Sequence, residues 1–357
     1  MLQKLGAKTT ASLRVLATSD LHGALTPYDY ARGREQKGQN LAQLATLINQ
    51  ERASAQNSLL FDNGDFLEGS ALADHAFAEF QTDPTAPPPI IAAMNVLGYD
   101  AVGLGNHEFD FGLPYLKTAL SQANFPCLSS NLEVTSDLNP AHRQSIILSR
   151  DLITHDGDKT PIRLGVISLL PPPTLDWDAA ELAGRVAIAE TVATARTKAD
   201  ALRQVGVDLV IILAHTGLGR TLENAGSDLL DANLADVLVL GHKHEFHPNR
   251  EAAAPIASNW VMPGFGGKAL GVIDLDLTHN GTRWQVTNTH AHLKLSSDGV
   301  QSEPRVLDLV ATAHRATTRK LDEVLTETET PLSAQFALTH PSAALTVIAD
   351  AMRHGAQ

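Results

Sequence analysis

The stretch "DAVGLGNHEFDFG", Asp100 to Gly112, begins as a short apolar run and ends in an amide, an imidazole and two carboxylates set between glycines. The run is too short for a helix and nearly continuous in apolar residues, as expected of a strand covered on both faces. Asn106, His107, Glu108 and Asp110 then fall in the loop leaving its C-terminal end. One such cluster is no more than a polar loop after a buried strand.

The same device recurs along the chain. "LRVLATSD", "SLLFDNGD", "FPCLSSN", "IRLGVISLL", "DLVIILAHTG" and "DVLVLGHKHE" are strand-like runs that close in polar residues. Helical patterns lie between them, at Leu41 to Arg52, Ile90 to Leu97, Leu113 to Gln122 and Thr191 to Val205. That alternation predicts an α/β architecture with sheets inside and helices outside. "KALGVIDLDLTH" and "RWQVTNTHAHLKL" flank Asn280-Gly281, a strong hairpin signal. A charged helix is expected from Glu303 to about Leu325, and a last one near the end carries Leu345, Ile348 and Met352 on one face.

Of the 357 residues, 43% are hydrophobic and 19% charged, which suits a globular protein with a large core. No apolar run approaches the ~20 residues that cross a bilayer. The first twenty residues hold no continuous apolar stretch of signal-peptide length, so the chain as written carries no export mark. The formal net charge of −13 argues against duplex nucleic acid or an anionic membrane as partner. A small anionic substrate is compatible with it if bound cations reverse the local field. With a single cysteine, Cys127, expected to be a small buried strand residue, neither a disulfide nor a thiolate cluster can form. Any metal site must use imidazole, carboxylate and amide from among 15 histidines and their neighbours.

Five polar clusters stand at predicted strand ends: "SDLHG", "DNGD", "GNHEFD", "AHTG" and "GHKH". Loops converge there on rigid supports, which is where α/β sheets build ligand sites. A lone histidine after a strand is more often structural, but the five together form a specific pattern. Two divalent ions ~3.5–4 Å apart need a shared carboxylate and a mix of neutral and anionic ligands. Asp65 can bridge, with Gly64 before it allowing a sharp turn. Asp20 and His22 are expected to alternate along an extended segment and face one side; His242 and His244 repeat the spacing, with Lys243 pointing away. Asn106 and His215 complete the shell. Oxygen and nitrogen donors without sulfur suit manganese, zinc, cobalt or iron.

These blocks resemble the calcineurin-like metallophosphoesterases, in particular the 5'-nucleotidase branch, and the similarity continues through "DNGDFLEGSALAD", "WDAAELAGRV", "GHKHEFHP" and "VMPGFGGKALGVIDLDL". Within that branch "YDYARG", Asn63 and "DWDAAELAGRV" are most similar to the bacterial 2',3'-cyclic-nucleotide 2'-phosphodiesterase/3'-nucleotidases. The resemblance implies a four-layer αββα sandwich over residues 11–300, a linker helix over 301–325, and, at 326–357, the start of a mostly missing C-terminal nucleotide-binding domain. It implies two divalent metal ions, one held by Asp20, His22, Asp65 and His244, the other by Asp65, Asn106, His215 and His242. His107 would meet the phosphoryl group and stabilise or protonate the leaving oxygen, with Asp110 orienting it; Glu108 is read as a structural support, and Phe109 and Phe111 as packing. The implied reaction hydrolyses 2',3'-cyclic nucleotides to 3'-nucleotides and these to nucleoside and phosphate. The alternatives are a 5'-nucleotidase or UDP-sugar hydrolase, the related thiosulfohydrolase, or a non-catalytic domain keeping metal for stability. The family is usually exported in bacteria, against the missing export mark. For His247, close behind "GHKH", packing outweighs a place in the site.

Overall fold

Strand Thr9–Thr18 sends Leu13, Val15 and Ala17 to one side and Leu16 to the other, and this two-residue alternation organises the molecule. The computed structural model describes residues 9–85, 87–135, 142–249, 251–252, 254–335 and 337–355. The chain divides into two compact units, residues 1–318 and 319–357.

The first unit holds two main sheets. In the seven-stranded sheet Thr9–Thr18 pairs in parallel with Ser58–Asp62, which leads on through Ala101–Gly103 to Cys127–Leu128. Its other flank is the antiparallel hairpin Ala269–His279 and Trp284–Leu295, with Ile256–Ala257 at the edge. The six-stranded sheet runs Phe246–His247, Trp260–Pro263, Val237–Leu240, Leu209–Ala214, Lys159–Leu169 and Ile146–Ile153, parallel through its four central strands.

Three apolar cores follow from the alternation. Val15, Phe61, Ile211, Val239 and Ile273 meet between the sheets. Leu16, Leu60 and Val102 face helices Leu41–Ala53, Pro89–Leu97 and Gly112–Ser121, while Ile167, Val210 and Leu240 face helix Thr191–Gln204. The result is helix, sheet, sheet, helix, as expected. Buried Cys127 lies on its predicted strand. Helix Pro304–Leu321 adds Val306 and Val310 to the first helical layer. Helix Ala71–Phe80, capped by the Ser70 side chain on the Ala73 N–H, and edge strand Ile146–Ile153 were not expected from the sequence. The strand alternates too weakly, with half of its residues exposed. In the second unit, helix Ala343–Gly355 leaves Leu345, Ile348 and Met352 exposed. No helix among the described residues is long and apolar enough to cross a membrane.

Trp284 fastens the sheets together. It is buried, and its indole N–H donates to the Pro161 carbonyl of the opposite sheet at 3.0 Å. Trp284→Phe removes that donor and leaves a void, so a loss of about 1–2 kcal/mol in urea unfolding is expected.

Candidate metal centre

All five clusters leave the C-terminal ends of parallel strands, three from one sheet and two from the other, so they converge at one edge of the sandwich. Backbone hydrogen bonds zip the first two loops together: Asp20 N–H to Gly64 O at 2.9 Å, His22 N–H to Asp65 O at 2.8 Å and Gly23 N–H to Phe66 O at 3.0 Å. Gly64 takes φ +96°, and a side chain there would run into Gly105, whose own Cβ would lie 2.7 Å from the Asp65 nitrogen and the His215 ring. Two loops therefore approach as closely as backbone allows, as expected for Gly64.

The segments carrying Asp20, His22, His242 and His244 are not extended. Their φ angles are +53°, +49°, +69° and +57°, and Asp65 has +59°. Simple alternation is thus the wrong account of how these side chains share a side: each sits in a left-handed turn. Five of the six non-glycine residues with positive φ among the described residues belong to the predicted ligand set. Such a conformation costs of order 1–3 kcal/mol each and persists only where the surroundings enforce it. Lys243 is exposed, its stem lying against Gly217.

The candidate donors fall into groups. Ligand atoms of Asp20, His22 and His244 lie within 4.8 Å of one another, as do those of Asp65, His215 and His242. Asp65 Oδ2 stands between the groups, 2.9 Å from His215 Nε2 and 4.0 Å from His22 Nε2. Asn106 Oδ1 reaches His242 Nδ1 at 2.9 Å. The fixing contacts leave one ring nitrogen of each buried histidine aimed inward. His215 Nδ1 is spent on the Asn63 carbonyl at 2.8 Å and His22 Nδ1 on the Glu68 carbonyl at 3.0 Å. Such outer bonds fix the tautomer and present the other nitrogen as a ligand. His215 Nε2 is buried and turned to the Asp65 carboxylate at 2.9 Å, and His22 Nε2 faces His244 Nε2 at 3.0 Å. Ring nitrogens turned on one another and on buried carboxylates are what a divalent cation satisfies. Against the effect of burial, Asp65 and Asp20 already draw positive charge onto His215, raising it to about 10, so the donor set fits a metal.

Electrostatics support the same reading. Burial drives His242 and His244 down to about 4 and lowers His22, keeping their rings neutral and able to coordinate. Burial pushes Asp20 up to about 7. Burial also opposes ionisation of Asp65, yet the His215 and His22 rings hold it well below the ordinary carboxylate range. Positive charge is wanted here.

His107 stands beside this cage. Its backbone N–H donates to Asp65 Oδ1 at 2.8 Å, and its ring lies 5.2 Å from that of His22. Nδ1 meets Asp110 Oδ2 at 2.8 Å and Glu68 Oε2 at 3.5 Å. The Asp110 bond is the largest influence raising His107 to about 9, against the effect of burial. The imidazole is thus held as a cation pointing Nε2 away from its carboxylates. Glu108 is buried and accepts four backbone N–H bonds, from Gly105, Asp65, Phe66 and Leu67, which is a structural role. Phe109 is fully buried and Phe111 stacks on Phe77 at 4.4 Å.

Several neighbours escaped the sequence reading. Trp177 stacks on His242, Phe265 on His244, and Glu223 Oε1 reaches His242 Nε2 at 3.2 Å. Asp178 bonds Asp110, and burial with that neighbour pushes it up to about 7. "DWDAAELAGRV" holds Trp177 and Asp178 and "VMPGFGGKALGVIDLDL" holds Phe265, while no block held Glu223. His247 stacks on Trp260 with ring centroids 3.4 Å apart, a packing role.

Comparison with known proteins accords with this geometry. The family model of the calcineurin-like phosphoesterases matches residues 13–246. The trifunctional nucleotide phosphoesterase YfkN of Bacillus subtilis is 31% identical over 96% of this chain and 25% of its own length. A 2',3'-cyclic-nucleotide 2'-phosphodiesterase/3'-nucleotidase of Haemophilus influenzae is 30% identical over 97% of this chain and 56% of its own. The chain thus spans about half the length of such relatives, or less. A crystal structure of the calcineurin-like phosphoesterase YfkN from Bacillus subtilis superposes with a TM-score of 0.81 at 32% identity, covering 88% of this chain and 100% of that one. Together with the sandwich and its edge of inward donors, these likenesses place the chain in the calcineurin-like phosphoesterase family.

Proposed function

We propose that the chain hydrolyses nucleotide phosphate esters at a pair of divalent cations, opening 2',3'-cyclic nucleotides to 3'-nucleotides and then releasing nucleoside and phosphate. The observation that carries this reading is Asp65 Oδ2 standing between two groups of inward imidazole and carboxylate donors, with a cationic His107 alongside. The names of the relatives supply the nucleotide.

In this reading Asp20, His22, Asp65 and His244 would hold one ion, and Asp65, Asn106, His215 and His242 the other; manganese, zinc, cobalt and iron all suit such donors. Ions so held would supply positive charge against the anionic ester and a bound water of lowered pKa. The protein's own part is positional. Asn106 adds a donor without adding negative charge where a phosphate approaches. His107, kept charged by Asp110 and Glu68, stabilises the phosphoryl oxygens and gives its Nε2 proton to the departing alkoxide. Asp110 fixes the tautomer and the ring plane.

Metal analysis of the purified chain, with 2',3'-cyclic AMP, 3'-AMP, 5'-AMP and UDP-glucose as substrates, tests the proposal. Metal-dependent turnover of the first two supports it. Turnover of 5'-AMP or UDP-glucose alone replaces it with the 5'-nucleotidase reading, and no turnover of any ester overturns it. His107→Ala is expected to lower kcat by ~10²–10⁴ while metal content stays near normal. Wild-type turnover in that variant would remove His107 from the reaction.

A further inference from the structure

We propose that Trp177 is a stacking platform for the base of the nucleotide, built into the catalytic unit itself. The inference rests on the nucleotide reading above and names the residue that grips the organic half of the substrate. A cavity of about 570 Å³ opens beside the metal centre, a volume suited to a small molecule. His107 and His242 line it together with Trp177, Asp178 and Glu223. Trp177 is the one large apolar surface in that lining, and it is 45% exposed. A ring in that lining with part of its surface in water is free to take a flat partner, as base–aromatic stacking requires.

The indole is also held in place. It ends the short helix Thr174–Trp177, which follows Pro171, Pro172 and Pro173, whose rings stiffen the approach. Buried Thr174 donates its hydroxyl to the Pro171 carbonyl at 2.8 Å, and the Trp177 N–H bonds the Pro173 carbonyl at 3.1 Å. The ring lies 16° from the plane of His242 at 5.4 Å. A seated aromatic ring pays little ordering entropy when a flat partner settles on it, and every base has a π-face to offer. Asp178 and Glu223 put carboxylates nearby that accept hydrogen bonds from hydroxyl or amino groups and repel further phosphates. The ligand that fits is therefore a nucleoside carrying its phosphate toward His107.

The test compares 2',3'-cyclic AMP with a base-free counterpart, methyl β-ribofuranoside 2,3-cyclic phosphate, on the manganese-loaded chain and on Trp177→Ala and Trp177→Phe. The ratio of kcat/KM between the two esters is expected to fall about tenfold in Trp177→Ala and to be largely kept in Trp177→Phe. Calorimetry with adenosine is expected to show binding about tenfold weaker in Trp177→Ala. A parallel loss on both esters means that Trp177 serves only to seat His242, and this overturns the proposal, as does an unchanged ratio. If the wild-type chain cleaves neither ester, the phosphoesterase reading fails and calorimetry decides alone. Adenosine binding lost in Trp177→Ala then upholds the platform; equal binding in both proteins, or none in the wild type, overturns it.

Discussion

Asp65→Asn is expected to abolish metal-dependent hydrolysis, lowering kcat for bis-p-nitrophenyl phosphate by at least ~10³, with metal content falling in the same preparation. The carboxylate touches both donor sets through a single oxygen, an Oδ2 that lies 2.9 Å from His215 Nε2 and 4.0 Å from His22 Nε2. An amide of the same volume keeps the hydrogen bond from the His107 N–H, which is made to Oδ1 at 2.8 Å. What it loses is the negative charge between the two donor sets. Metal assistance supplies several kcal/mol of transition-state stabilisation, and each 1.36 kcal/mol is a factor of ten. Elemental analysis of the variant beside its turnover separates the outcomes. Wild-type turnover with a full complement of metal would show that Asp65 is not the shared ligand. Lost turnover with full metal would make it a catalytic group alone.

How far the site was legible depends on which physical signal each residue leaves. The strands could be read because runs such as Leu209–Ala214 are buried on both faces and continuous in apolar residues. Their polar endings gave Asp20, His22, Asp65, Asn106, His215, His242 and His244, all of which the fold gathers at one edge. The geometry that gathers them was not legible. An alternating pattern looks the same whether the backbone is extended or bent into left-handed turns, and only glycine advertises positive φ. At His242 and His244 no glycine stands at the turn residue itself, and the strain is imposed by neighbouring loops. Partners supplied from afar were silent for another reason. Trp177 and Glu223 lie 65 and 19 residues before His242, one on a helix of 4 residues too short to show a period and the other on a loop, and nothing local ties them to it. The edge strand Ile146–Ile153 was missed because one partner strand and wide exposure leave it little apolar pattern.

Glu108 yields the second large effect, and on a different quantity. Glu108→Leu is expected to destabilise the fold by more than ~3 kcal/mol and to strip the metal centre of its ions. The carboxylate is buried between two loops and accepts from Gly105 N–H at 2.6 Å and Asp65 N–H at 2.7 Å through Oε2, and from Phe66 and Leu67 N–H at 2.8 and 3.1 Å through Oε1. Leucine fills similar space but leaves four donors without an acceptor, each such buried group costing ~1–3 kcal/mol before relaxation. Relaxation has a direction. The loops can regain water only by parting, and parting moves Asp65, whose own backbone is one of the four donors, away from His215. Folding stability and metal affinity should therefore fall together, and urea unfolding with and without manganese reads both. The wild-type chain gains stability from the ion because binding favours the folded state. In Glu108→Leu that gain should shrink along with the stability itself. If the variant unfolds at wild-type urea with the manganese increment intact, the loops are held by other contacts and Glu108 is a bystander.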